Sequence, residues 1–352
     1  MVMHMLTVKL PSFDNVAAEQ TARRLDQLTK PRGSLGRLEE LAIQLAGITG
    51  DPGCRFRERC VLVLAADHGV AREAVSLYPQ SVTVQMVRNF LRGGAAVNVL
   101  ARQARARVVV ADFGTLVRLE GHGGRLVERR FGAGTGNMAV EPAMTREQAA
   151  GAVEAGRELV AAELGRGLDL ALVGEMGIGN TTAASAVTAA LLGLPAEEVT
   201  GRGTGLDEAA RRHKAGVIAR ALALHRPDSG DALDVLAKVG GFELAGLAGV
   251  MIGAAERRVP VLLDGFIAGA AALAVSRLVP GLERCLIAGH RSAEPGHRHI
   301  LEALGLRPLL DLDLRLGEGT GAVLALHLVD AAVAIRDEMA TFADAGVDGA
   351  NL

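Results

Sequence analysis

The sequence predicts an α/β fold in which a doubly wound parallel sheet is flanked by helices. Three observations carry the prediction. Short, continuous apolar runs recur along the chain, each ends in a polar or glycine-rich loop, and an alanine-rich helical pattern follows. Apolar runs without alternation are strands buried on both faces, as in a parallel sheet covered by helices. Regular strand–helix alternation points to a doubly wound sheet.

The strands are expected at Cys60–Ala66 (CVLVLAA), Arg107–Ala111 (RVVVA), Leu168–Val173 (LDLALV), Pro260–Leu263 (PVLL) and Cys285–Ala288 (CLIA). They run into Asp67-His68-Gly69, Asp112-Phe113-Gly114, Gly174-Glu175, Asp264-Gly265 and Gly289-His290. Ligands of such sheets bind beyond the carboxyl ends of the strands, and that is where the Asp, Glu, His and Gly residues of this chain collect. The two ends of the chain differ from its middle. Residues from about Asn15 to Ile48 are helical in pattern, interrupted at Lys30-Pro31-Arg32-Gly33-Ser34, and Thr320 to about Asp344 also reads as helix. With no strand candidate in either, the ends form a small helical domain together or serve as arms for a partner subunit.

Composition narrows the class. Of 352 residues, 49% are apolar but only 3% aromatic, so the core is built from Ala, Val, Leu and Ile. The 44 glycines are well above the average share of roughly 7% and follow no collagen period. Their clustering suggests tight turns or backbone approaching a ligand. Thirty-eight basic and 40 acidic residues leave a net charge of −2, which gives no electrostatic footprint for nucleic acid or an anionic membrane. Cys54, Cys60 and Cys285 have neither metal-ligand spacing nor the count of a disulfide framework. The stretch Met1–Asn15 (MVMHMLTVKLPSFDN) lacks an apolar core and a cleavage site, so no signal peptide is expected. The most apolar stretch, Val259 to Val275, is broken by Asp264 and its glycines. A reducing, cytoplasmic setting is the expectation.

Three glycine loops carry the chemistry. The first, GEMGIGNTT from Gly174 to Thr182, follows a strand and precedes a helix, the context in which a loop cradles phosphate. Its spacing imitates the Walker A loop, but Asn180 stands where that loop has its lysine. A phosphomonoester at a helix N-terminus fits this better than a triphosphate with Mg²⁺; the alternative is a tight turn with no ligand. The second loop, Gly201-Arg202-Gly203-Thr204-Gly205, precedes a helix carrying Lys214. It is either an ordinary turn or a second set of amides, with a cation, for the same phosphate. The third is Gly317-Glu318-Gly319-Thr320-Gly321. Its one carboxylate either takes a proton in catalysis or complements the dipole of the next helix. An ordinary Glu titrates near 4.3, so useful basicity needs desolvation or a specific partner. Asp67-His68 and the block from His290 through Glu294 to His297 match no metal pattern and read as cleft or subunit-contact residues. No GxSxG, no HExxH and no GxGxxG after a strand with a distal acid is present.

Together these motifs resemble those of the nicotinate-nucleotide–dimethylbenzimidazole phosphoribosyltransferases, enzymes of cobalamin lower-ligand synthesis. The resemblance runs through LTKPRGSLGRLEELA (Leu28–Ala42), AADHGV (Ala65–Val70), YPQSVTVQMVRNFLRGGAAVNVLAR (Tyr78–Arg102) and NMAVEPAMT (Asn137–Thr145). It continues through GEMGIGNTTAASA (Gly174–Ala186), TGRGTGLD (Thr200–Asp207), VGGFELAGLAG (Val239–Gly249), DGFIAGAAAL (Asp264–Leu273), GHRSAEPGH (Gly289–His297) and LRLGEGTGA (Leu314–Ala322). It implies a Rossmann-like parallel sheet, a homodimer, and a small helical domain made by residues 1–58 and 319–352 around a large domain at 59–318. The implied reaction moves the 5-phosphoribosyl group of nicotinate mononucleotide onto 5,6-dimethylbenzimidazole, releasing nicotinate and giving α-ribazole 5′-phosphate.

The implied roles fall residue by residue. Glu318 is the catalytic base, and Glu175 lies near the ribose and the reacting centre. Gly177, Ile178, Gly179, Asn180, Thr181, Gly203 and Lys214 hold the nucleotide phosphate. Gln85, Leu316 and Ser76 belong to the benzimidazole pocket. No cofactor or metal is implied. Two other readings stay open: the same transfer to a purine or phenolic acceptor, and a non-catalytic nucleotide-binding protein, which would have no need of Glu318 in its glycine loop.

Overall fold

A computed structural model of the chain describes residues 8–348. Residues 1–7, the start of the stretch in which no signal peptide is expected, lie outside it. Helices α1 (Asn15–Asp26) and α2 (Arg37–Thr49) open the chain, and Asp14 caps α1 by accepting the Ala17 N–H at 2.9 Å. Strand β1 (Arg59–Ala66), helices α3 (Ser81–Arg92) and α4 (Ala96–Gln103), and strands β2 (Arg107–Gly114) and β3 (Leu126–Glu128) follow. Next come α5 (Arg146–Leu164), β4 (Leu170–Met176), α6 (Asn180–Leu192), α7 (Ala196–Val199), α8 (Glu208–His225), α9 (Ala232–Val239) and α10 (Phe242–Ala255). The chain ends with β5 (Val261–Leu263), α11 (Phe266–Leu278), β6 (Leu286–Ala288), α12 (Pro295–Leu304), α13 (Thr320–Glu338) and α14 (Phe342–Ala345).

All six strands are parallel, in the order β3-β2-β1-β4-β5-β6. The order reverses between β1 and β4, which puts a crevice beyond their carboxyl ends. Five strands lie where the apolar runs predict them. The edge strand β3 has no counterpart among those runs: its three residues, Leu126–Glu128, are too few to make one. Side chains alternate between two apolar layers. Cys60, Leu62, Leu64 and Ala66 of β1 face one layer with α5, α6, α10 and α11, while Val61, Val63 and Ala65 face the other with α2, α4 and α13. Both faces being covered is why the strands read as unbroken apolar runs.

The chain ends pack together on that second face. Leu28 bridges Thr341, Phe342 N–H donates to the Gln27 carbonyl, and Arg24 donates to the carbonyls of Arg336 and Met339. Leu25, Leu41 and Leu45 share one apolar layer with Leu326 and Val329 of α13 and with the sheet. The terminal helix is shorter than its pattern: α13 stops at Glu338, and α14 restarts it after Thr341 with a capping box to Asp344. No helix of the described residues is long and apolar enough to cross a membrane.

The glycine surplus has a second use beyond loops. Every residue of α10 is buried, and it lies directly against α5. A Cβ on Gly156 would collide with the Gly246 carbonyl, and one on Gly249 with the Val153 carbonyl. The two helices therefore touch backbone to backbone behind β1 and β4. Adding a methyl at such a crossing overpacks it. Gly249→Ala should cost about 2 kcal/mol of stability. A lowered thermal midpoint with unchanged substrate KM checks it; an unchanged midpoint would reject the tight crossing.

Candidate active site

The strand ends converge on a cavity of about 690 Å³. Glu175 and Met176 end β4, Asp264 follows β5, and His290 follows β6; all four line it. The three glycine loops form its walls, and Val82 and Met86 of α3 and Phe266 and Ile267 of α11 supply apolar surface.

The first loop turns from β4 into α6. Gly177 passes so close to β1 that a Cβ would collide with the Ala66 carbonyl, and Gly179 takes φ +100° as the residue before the helix. Ile178 N–H donates to Thr83 Oγ1 at 3.1 Å, which ties the loop to α3. Gly177, Ile178, Gly179, Asn180 and Thr181 all line the cavity at the positive end of the α6 dipole. Lys214 of α8 is fully buried behind this wall, and its Nζ donates to Thr181 Oγ1 at 2.6 Å. Burial pulls the Lys214 ammonium down to about 8, against the opposing charge of Glu294.

The second loop is held from both sides. Glu294 Oε1 accepts the Gly203 N–H at 2.8 Å, and Arg315 Nη1 donates to the Gly203 carbonyl at 3.0 Å. Across the cavity mouth Leu77 N–H donates to Thr204 Oγ1, and Ser76 Oγ lies 3.4 Å from the same oxygen. Gly203 and Lys214 thus stand together: a Cβ on Gly203 would lie 3.1 Å from Lys214 Nζ.

The third loop has three successive residues with left-handed backbone, Gly317 (φ 83°), Glu318 (φ 64°) and Gly319 (φ 92°). A glutamate there is uncommon and persists only where its surroundings enforce it. The enforcing contacts are visible. The loop lies on β4 at Gly174, where a Cβ would collide with the Glu318 carbonyl. Asp264 accepts N–H bonds from Gly319, Gly321 and Ala322 at 3.1, 2.7 and 3.2 Å. The Glu318 carboxylate lines the cavity, and its Oε2 has no hydrogen-bond partner. Burial raises it to about 7; the Val97 amide at the start of α4 opposes the shift and the Asp264 charge adds to it. Glu175 sits beside it, against Gly317, and accepts from the Asn180 side-chain amide. Burial and the charges of Asp264 and Glu243 raise Glu175 to about 8. Both adjacent carboxyls are thereby held above the ordinary carboxylate range, the more deeply buried Glu175 by the larger margin.

Of the residues singled out from the sequence, Glu318, Glu175, Gly177, Ile178, Gly179, Asn180, Thr181, Gly203, Leu316 and Ser76 line one cavity. Lys214 stands one layer behind. Gln85 is exposed on α3 and is not among the lining residues; its helix presents Val82 and Met86 instead, four apart on one face. The cleft reading of His290 and Glu294 agrees with their place in the wall. Sequence reasoning assigned no role to Asp264, although its place directly after a strand was a usable signal. Nor did it pair His68 with Glu243, whose side chains meet at 2.7 Å behind the first loop.

A family model described as a phosphoribosyltransferase matches residues 10–347. A nicotinate-nucleotide–dimethylbenzimidazole phosphoribosyltransferase of Desulforudis audaxviator is 57% identical over 342 residues, 97% of each chain. One of Chloroflexus aggregans is 58% identical over 95% of each. The crystal structure of CobT from Thermus thermophilus superposes with a TM-score of 0.91 at 53% identity, covering 95% of this chain and 99% of that one.

The raised Glu318 carboxyl makes a stability prediction whose sign is fixed. Folding holds its proton to higher pH than the unfolded chain does, so its stabilising share is complete below the ordinary carboxyl range and is lost as pH rises through about 7. Glu318→Gln should therefore unfold at a higher temperature than wild type at pH 8, with the gap closing toward pH 4. Melting curves across that range test it; a gap that widens on acidification would contradict a desolvated carboxylate.

Proposed function

This chain belongs to the nicotinate-nucleotide–dimethylbenzimidazole phosphoribosyltransferase family, and we propose that its cavity carries out that transfer with Glu318 as the base. The observation that carries the assignment is the Glu318 carboxylate: buried, held in an enforced backbone conformation, raised to about 7, and with one oxygen unpartnered in the cavity wall. A protein that only binds a nucleotide has no use for such a group.

The rest of the cavity supplies the other requirements of the reaction. The N-terminus of α6, with Gly177 to Thr181, Gly203 and Lys214, is the anchor for the 5′-phosphate. Val82, Met86, Met176 and Leu316 give an apolar slot for the flat acceptor. Ser76 and Gln85 are proposed at its entrance, Gln85 reaching it from the flank of α3. Nicotinate in the nucleotide is a pyridinium and leaves with the electron pair of its bond to C1′. The acceptor nitrogen donates its lone pair to C1′, and the proton on the other ring nitrogen passes to Glu318. Positive charge builds on the ribose as the bond breaks. Buried carboxyls at Glu175, Asp264 and Glu318 surround that position, an arrangement suited to a cationic transition state. Glu175, in its protonated form, is suited to donate a hydrogen bond to the ribose. We further propose that the enzyme works in the cytoplasm as a homodimer, and that residues 1–58 and 319–352 act as one helical unit beside the 59–318 domain.

Glu318→Gln should retain nicotinate mononucleotide binding and lose about 10²–10⁴ in kcat with dimethylbenzimidazole. Nicotinate release followed with and without the acceptor reads this, and near-wild-type turnover would end the base assignment. Lys214→Ala should raise the KM for the nucleotide about 10- to 100-fold, the worth of a charge-assisted hydrogen bond. An unchanged KM would remove Lys214 from the phosphate site.

A further inference from the structure

Asp264 is 1% exposed, follows β5 directly, and points across the sheet edge at the start of α13. The residue that should cap that helix is Gly319, which has no side chain. Asp264 does the capping from a strand 55 residues earlier, through both carboxylate oxygens and three amides. Two of those amides, on Gly319 and Gly321, flank Thr320 and close the loop that carries Glu318. His290 packs into the space left by the bare Cα atoms of Gly265 and Gly321, with Nε2 3.5 Å from Asp264 Oδ1. An ordinary N-cap needs one accepted amide. This one is built around the left-handed stretch Gly317–Gly319, which nothing in its own sequence favours at Glu318.

We propose that Asp264 is a positioning residue for the transfer: its three amide bonds fix the Glu318 carboxylate in the cavity wall. The inference rests on Glu318 being the base. The titratable side chains facing the loop are Glu175 from the end of β4, Asp264 from β5 and His290 after β6, while α4 presents only the Val97 amide; Glu243 at the start of α10 acts on Glu175 from behind. Of these, Asp264 alone both bonds the loop backbone and raises the Glu318 carboxyl.

Asp264→Asn removes the charge and turns an N–H toward one of the three amides. In the full-length enzyme kcat should fall about 10²-fold, as for a misplaced catalytic group, with the nucleotide KM near wild type. The acid limb of kcat/KM should move at least about half a unit lower, because the base ionises more easily without its anionic neighbour. In a Glu318→Gln background the same change should add almost no further loss, since the group it positions is gone. Asp264→Glu should recover the acid limb better than the rate. If Glu318→Gln itself keeps its turnover, the base reading fails and this inference with it. If Glu318→Gln is slow but Asp264→Asn keeps wild-type kcat and acid limb, the positioning role alone is overturned. It is also overturned if Asp264→Asn only lowers the melting point, or if both Asp264→Asn and Asp264→Ser fail to fold by circular dichroism, which would make the carboxylate a determinant of the fold.

Discussion

Taking a carboxylate out of water costs several kcal/mol unless bonds or charge replace the lost hydration, and this chain does it repeatedly at one edge of its sheet. Asp67, Glu175, Asp264, Glu294 and Glu318 are all buried there, each under 7% exposed. Most of the architecture around the cavity answers that constraint. Asp264 is answered by three amides, Glu294 by Gly203, Glu175 by Asn180, and Asp67 by Leu116. Asp67, Glu294 and Glu318 each keep one oxygen unbonded. Glu294 and Glu318 line the cavity, and Glu318 is the one assigned the chemistry, where an incomplete shell leaves a site for a substrate proton.

The same cavity sets charges of both signs side by side. Acid gathers where the strands end at Glu175, Asp264 and Glu318, while the adjoining α6 N-terminus, whose Asn180 donates to Glu175, and Lys214 behind it supply positive potential. Lys214 shares the logic of the acids: it is buried beside Thr181, and the loss of water pulls its ammonium down to about 8. A bound phosphate would hold its proton more firmly.

The sheet and the three loops were legible in the sequence for a simple reason. Burial on both faces writes itself as apolar runs, and close backbone approach writes itself as glycine. Glu318 was visible as a lone carboxylate among glycines, but the residues alone left it open between a base and a partner for the helix dipole, and the family resemblance supplied its role. What was illegible depends on contacts between distant parts of the chain. His68 and Glu243 pair across 175 residues, and nothing in either segment announces the other. Asp264 was visible only as a polar residue after a strand; its role depends on where α13 begins. β3 is too short to register, and the sequence alone does not say that Gln85 lies on the exposed flank of α3 beside Met86. Part of the glycine signal was also ambiguous: Gly156 and Gly249 serve a helix crossing, not a ligand.

The loop that carries Glu318 has no stable shape of its own. Its left-handed stretch is imposed by Gly174 beneath it, Asp264 beside it and the Val97 amide in front, drawn from three separate strand-and-helix units. During synthesis those units leave the ribosome well before the loop does. The base is therefore the last part of the centre to be synthesised, just ahead of α13, whose Leu326 and Val329 complete the second apolar layer of the sheet. A chain cut short of Glu318 lacks both the basic carboxylate and the cover of that face, so turnover is a property that only the finished fold possesses.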